Sequence, residues 1–142
     1  MEIYFAGSIR AGREDVGIYA EIIGHLKKYG EVLTEHIGDK KVTVRGEEDG
    51  PNDKFIHDRD MNWIAKSDVF IADVSIPSTG VGYEIRDAVE LGKDILCLYR
   101  PQNGKKLSAM ISGCPDLVVR EYQTVEEAKK IIDEFFSSIK SS

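Results

Sequence analysis

The chain has 142 residues, 42% of them hydrophobic and 31% charged, and a formal net charge of -6. That is the size of a single domain with a core of its own, so one domain over 1–142 is expected. The acidic balance argues against nucleic acid as a partner, since duplex binding draws its affinity from a basic face, yet it leaves room for a small anion held by local amides and one arginine.

Residues 2–6 (EIYFA) read as a strand that stops at Gly7. Residues 12–29 carry Tyr19, Ile22, Ile23 and Leu26 at helical spacing, with Glu14 and Asp15 at the start, Lys27 and Lys28 at the end, and Gly30 as the cap beyond. Residues 31–34 (EVLT) read as a short second strand and 38–52 as a polar, Gly-rich loop. A helix over 53–66, a buried strand over 68–73, a helix over 81–91 and a buried strand over 94–99 follow. A last strand falls at 117–121. Thr124 and Glu127 then form a capping-box signature for a final helix carrying Ala128, Ile131, Ile132, Phe135 and Ile139.

Strands that alternate with helices, and are apolar throughout, imply an α/β fold with a five-stranded parallel sheet covered on both faces. The expected order is 2-1-3-4-5, the Rossmann-like, flavodoxin-type arrangement. Ligands of such sheets bind beyond the carboxyl ends of the strands where the order reverses, here between the first and third. The two free cysteines, Cys97 and Cys114, suit a reduced compartment. With no leader and no apolar run of about 20 residues, neither secretion nor a membrane partner is expected. The expected location is cytoplasmic, with the nucleus left open.

The predicted crevice gathers two donor-rich loops. In the first, Gly7 allows a sharp turn, while Ser8, the Ile9 amide and Arg10 are suited to a phosphate; the plainer alternative is a Gly-Ser turn followed by a surface arginine. Ser78, Gly80 and Gly82 repeat that composition on the second. Two carboxylates stand out. At about 100° per residue, Asp60 projects between Ile56 and Ile64 on the Trp63 side, towards a partly dry crevice where its pKa would rise; the alternative is a salt-bridged Asp at the core edge. Glu84 falls in the first turn of the 81–91 helix, where the dipole favours ionisation, although acidic residues favour first turns in any helix. One carboxyl biased to protonation and one to ionisation are what glycosidic cleavage through a covalent glycosyl intermediate needs. Tyr4 is either a core tyrosine or a partner for Glu84. His25, His36 and His57 lack metal-ligand spacing, and only His36 falls near the predicted crevice.

Five ordered blocks, "YFAGSIRAGRED", "YGEVLTEH", "FIHDRDMNW", "PSTGVGYE" and "ILCLYRPQNGKKLSAMI", closely resemble the 2'-deoxynucleoside 5'-phosphate N-hydrolases, a branch of the nucleoside 2-deoxyribosyltransferase superfamily. The resemblance implies a homodimer that cleaves 2'-deoxynucleoside 5'-monophosphates to free base and 2-deoxyribose 5-phosphate without a cofactor or metal. It implies Glu84 as nucleophile, Asp60 as acid/base and Tyr4 as their assistant. It matches Ser8, Arg10 and Ser78 to phosphate-site positions and Ser108 to one that reaches the phosphate of the neighbouring subunit's site; Gly7, Ile9, His36, Gly80, Gly82, Ala109 and Met110 complete the expected substrate-binding set. The chain differs from mammalian members at Ala6, where they have cysteine, at Asp73, where they have glutamate, and in the 38–52 loop. Three rival readings remain: a 2-deoxyribosyltransferase, a ribonucleotide phosphoribohydrolase, whose fuller "PGGxGTxxE" pattern this chain lacks, and a nucleotide-binding module without catalysis.

Overall fold

The computed structural model describes residues 1–9, 15–39, 42 and 52–140. Arg10 and Glu14, and most of the 38–52 loop, therefore lie outside the described residues. Strand β1 (Glu2–Ala6) leads to helix α1 (Val16–Leu26), and β2 (Glu31–Val32) to a 3-10 turn over Glu35–Gly38. Then come α2 (Asp53–Lys66), β3 (Val69–Asp73), α3 (Thr79–Glu90), β4 (Asp94–Tyr99), α4 (Ala109–Ser112), β5 (Val118–Glu121) and α5 (Val125–Lys140).

All four strand pairings are parallel and the order is β2-β1-β3-β4-β5, as the sequence predicts. Alternation along β1 divides the core: Ile3 and Phe5 pack on the side of α1 and α5, while Tyr4 and Ala6 face α2 and α3. Every residue of β3 is buried, which explains why its sequence shows an apolar run and not a two-residue alternation. Helix α1 buries Tyr19, Ile22, Ile23 and Leu26. Helix α5 buries Ala128, Ile131, Ile132, Phe135 and Phe136, with Ile139 only partly covered. No helix among the described residues is long and apolar enough to cross a membrane.

Several boundaries differ from expectation for local reasons. The second strand ends at Val32 because Thr34 leaves the ladder and bonds with its side chain: its Oγ1 accepts from Phe5 N at 2.9 Å and donates to Phe5 O at 2.6 Å. Gly30 is not a left-handed cap. A Cβ there would lie 2.2 Å from Met1 O, so the residue is small to let two backbones pass. The capping signature before α5 is real but shifted, since Thr124 Oγ1 accepts from Glu127 N while the Glu127 carboxylate takes Gln123 N.

Candidate active site

Beyond the carboxyl ends of β1 and β3, at the reversal of strand order, lies a cavity of about 510 Å³, a size suited to a small ligand. Four segments wall it. The end of β1 supplies Tyr4 to Gly7, followed by Ile9; the 3-10 turn adds Ile37; α2 supplies one helical face, residues 53, 56, 57, 60 and 61; α3 supplies Thr79, Gly80, Val81, Tyr83 and Glu84, with the cap Ser78 before them.

The start of α3 determines how the second loop works. The residues predicted as a glycine turn are the helix itself, because Ser78 caps it: its Oγ accepts from Val81 N at 3.3 Å, which outweighs the poor helix propensity of Gly80 and Gly82. Gly80 is small for a different purpose. A Cβ at Gly80 would meet only Ser78 Oγ at 3.9 Å, which leaves open space in the cavity of Glu84; one at Gly82 would meet nothing within 4 Å, but Gly82, against expectation, lines a second cavity and not this one. Of the first amides of the helix, those of Thr79 and Gly80 have no acceptor within it and can serve an anion.

Glu84 is thus the sixth residue of α3, beyond the turn in which the dipole acts. Its carboxyl is withdrawn from water, and burial pushes its pKa from an ordinary 4.5 up to about 8. This overturns the expectation of a ready-ionised group, since desolvation prevails over the dipole. The Tyr4 hydroxyl donates to Glu84 Oε2 and pulls in the opposite direction. Tyr4 is itself fixed: it is buried and its ring stacks on Phe70, with centroids 5.2 Å apart and planes 7° apart. Asp60 reaches the same cavity, as the helical geometry predicts, while Asp58 on the outer face pairs with Lys54 and His57. The Asp60 side chain is 21% exposed and accepts from Arg59 Nε at 3.1 Å; the Arg59 guanidinium lies over the Trp63 ring, 4.6 Å from its centre.

Other expected residues fall differently. Gly7 and Ile9 line the cavity, but Gly7 lacks a left-handed φ; its Cβ would strike Tyr19 Cε2 at 2.9 Å and Ile37 Cγ2 at 3.1 Å, so it serves close packing. Ser8 is buried and absent from the lining, and its N–H donates to the Tyr19 hydroxyl at 3.2 Å. His36 is also absent from the lining, since the 3-10 turn sets its ring 6.0 Å from Trp63. The imidazole on the wall is His57, which the sequence reading set away from the crevice, and Tyr83 joins it. The signal was present in the sequence: His57 stands three residues before Asp60, on the same face of α2.

Ser108, Ala109 and Met110 border a second cavity, of about 930 Å³, between α3 and the 105–117 segment. Ser78 borders both cavities. Ser108 caps α4, accepting from Met110 N at 3.2 Å, and the Met110 side chain is 82% exposed. On the opposite face of the sheet, Asp73 is wholly buried and its pKa is pushed up by that burial; it accepts from Tyr122 Oη at 2.5 Å and from Ser75 N at 2.9 Å. Ser75 Oγ accepts from Arg100 N, and the Arg100 guanidinium reaches Asp15 at 2.7 Å. This polar set ties the start of α1 to the loop before α3.

A model of the nucleoside 2-deoxyribosyltransferase family matches residues 3–132. The 5-hydroxymethyl-dUMP N-hydrolase of Esox lucius is 53% identical over 145 residues, covering 98% of this chain and 98% of that protein. The protein of that name from Rattus norvegicus is 49% identical over 139 residues, with 96% and 85% covered. The putative 2'-deoxynucleoside 5'-phosphate N-hydrolase 1 of Nematostella vectensis is 48% identical over 141 residues, with 97% and 95% covered. Among solved structures, BlsM superposes with a TM-score of 0.75 at 23% identity over 94% of this chain and 88% of that one. The Clostridium botulinum CMP N-glycosidase BcmB does so with a TM-score of 0.70 at 19% identity, over 95% and 99%. At those identities the likeness is one of fold.

Proposed function

The chain belongs to the nucleoside 2-deoxyribosyltransferase family, and from that premise we propose that it hydrolyses the N-glycosidic bond of 2'-deoxynucleoside 5'-monophosphates. The products are free base and 2-deoxyribose 5-phosphate. The observation that carries this reading is the Tyr4 hydroxyl on the Glu84 carboxylate, inside a cavity that also holds Asp60. The N-hydrolase names of relatives at about half identity support it.

In this mechanism Glu84 attacks the anomeric carbon as the bond to the base breaks, and Asp60 gives its proton to the departing base. Asp60 then takes a proton from water, which attacks the glycosyl-Glu84 ester and releases the sugar with retained configuration. Tyr4 holds the Glu84 carboxylate in line and stabilises its charge. The phosphate docks at the Ser78 end of α3, so that remote binding energy holds the anomeric carbon against Glu84. The pair needs one proton between its two carboxyls, on Asp60. Glu84 must itself be ionised to attack, and because burial raises its pKa to about 8, kcat/KM should rise with pH up to about 8 as that carboxyl loses its proton; a profile flat from pH 5 to 8 would show that the carboxyl is already ionised.

The test is base release, followed by chromatography, from a panel of deoxynucleoside monophosphates beside their ribo and unphosphorylated counterparts, with and without a second free base. Release confined to phosphorylated deoxy substrates, without exchange, is the expected result. Base exchange would make the chain a transferase, and silence across the panel a binding module.

The proposal includes a homodimer in which Ser108 completes the phosphate site of the neighbouring copy. Its support is the exposed pairing of Ser108 with Met110 on a cavity that shares Ser78 with the first. Ser108→Ala should then raise KM for the monophosphate about tenfold, the cost of one charge-assisted hydrogen bond, with little change in kcat. An unchanged KM would remove Ser108 from the site.

A further inference from the structure

A connected set of polar side chains at the carboxyl edge of the sheet has no part in that mechanism: Asp15, Asp73, Ser75, Arg100 and Tyr122. All but Arg100 are buried, and Tyr122 packs with the α1 and α5 core, on the face of the sheet away from α2 and α3. Asp73 closes β3, while Arg100 and Tyr122 are the residues just beyond β4 and β5. Withdrawing two carboxylates from water is unfavourable unless each is bonded, and each is.

The bonds run in sequence from one donor-rich loop to the other. Ser75 N–H donates to Asp73 Oδ1 at 2.9 Å, and Ser75 Oγ accepts from Arg100 N at 2.9 Å, so the segment leading to the α3 cap is held from the ends of two strands. Ser78 follows three residues later, after Pro77, whose ring restricts the turn. From Arg100 the path continues by its side chain, since Nη2 donates to Asp15 Oδ1 at 2.7 Å. The Asp15 carbonyl accepts from Tyr19 N at 2.9 Å, and the Tyr19 hydroxyl accepts from Ser8 N at 3.2 Å. Gly7 and Ile9, on either side of Ser8, line the cavity. Arg100 therefore joins the two loops, one through its backbone and one through its guanidinium.

Resting on the deoxynucleotide hydrolase reading, we propose that Arg100 and Ser75 are positioning residues for the substrate's phosphate, fixing the spacing between the 7–9 and 74–78 segments. Apolar residues of the same volume would hold the sheet edge about as firmly as a buried charged set, so what this set contributes is geometry. Donors aimed at an anion serve it best when they need not be rearranged on binding. Glu84 and Asp60 stand on α3 and α2, outside the path, so a looser spacing weakens the hold on the phosphate and leaves the reacting groups in place.

The two ties can be cut separately. Arg100→Gln breaks the bond to Asp15 and keeps the backbone bond to Ser75; Ser75→Ala does the reverse. The ion pair is made through one bond, with Arg100 Nε and Asp15 Oδ2 unpartnered among the described residues, so Arg100→Lys can replace it. The experiment measures the Kd of 2-deoxyribose 5-phosphate by calorimetry, with KM and kcat for a cleaved monophosphate and a thermal melt of each variant. Arg100→Gln should raise Kd and KM together by about tenfold and Ser75→Ala by about threefold, with kcat within about twofold of the wild type. Arg100→Lys should return both to within about threefold. Unchanged Kd and KM in the folded variants would overturn the proposal, and so would a fall in kcat without loss of affinity. If Arg100→Gln does not fold, Ser75→Ala decides by the same criteria. A wild type that releases no base from any phosphorylated deoxy substrate would instead overturn the hydrolase reading, and the Kd comparison, which needs no turnover, keeps the two failures apart.

Discussion

Replacing Glu84 with glutamine should reduce base release by at least about 10³-fold and, above pH 8, make the protein more stable. The first effect is loss of the nucleophile. Gln is isosteric and still accepts from the Tyr4 hydroxyl, so the wall of the cavity is kept. The second effect follows from linkage. The folded-state pKa of Glu84 is about 8 and lies above its ordinary 4.5, so the folded protein binds the proton more tightly than the unfolded chain does. The stability that this group contributes is therefore present below about pH 4.5 and is lost as the pH rises to about 8. Each pKa unit corresponds to about 1.36 kcal/mol, which sets an upper bound near 5 kcal/mol; with the residue only partly buried, about 2 kcal/mol is the expected size. For a chain of this length that is a Tm higher by roughly 5 °C in Glu84→Gln at pH 9, closing towards pH 4.5. Thermal melts across that range, run beside the base-release assay, test both halves. Wild-type turnover in the variant would remove the nucleophile assignment, and parallel melting curves would mean that the carboxyl is not desolvated.

The same residue shows where sequence reading succeeds and where it stops. That a carboxylate stands beside two glycines at a strand-to-helix junction is legible, because chain order and the apolar runs of β3 and β4 fix the parallel sheet and its switch point. The charge bias of Glu84 is not legible, for it depends on the helix start. Thr79-Gly80 reads as a turn by propensity, yet the Ser78 cap makes it helix, which moves Glu84 out of the first turn and leaves burial to dominate. The histidines were misassigned for a related reason. Thr34 ends β2 early, the chain turns into a 3-10 segment, and His36 goes to Trp63, while three-residue spacing along α2 brings His57 to the wall with Asp60. Helix α4 leaves no periodic trace at all, since four residues are too few to show one.

Asp60→Asn should separate the two halves of the reaction. With a natural base the leaving group needs a proton, and loss of the acid should lower kcat by about 10²- to 10⁴-fold. A 2-deoxyribose 5-phosphate bearing a nitrophenyl aglycone needs no such help, because nitrophenolate departs as a stable anion. Glu84 can then still form its ester in the variant, but the water that must open the ester has lost its base. The expected record is a burst of nitrophenolate close to one per active site, followed by slow turnover, with the intact mass of the protein raised by one 2-deoxyribose 5-phosphate residue. Asn keeps an amide oxygen that can still accept from Arg59 Nε, so the contact is weakened and not removed, and a thermal melt of the variant checks that it is folded. A folded variant that keeps natural-substrate turnover would strip Asp60 of its role. A variant slow on both substrates, with neither burst nor adduct, would instead mean that Asp60 acts before the ester forms, in seating the sugar, and the search for the acid would return to the other side chains of the α2 face.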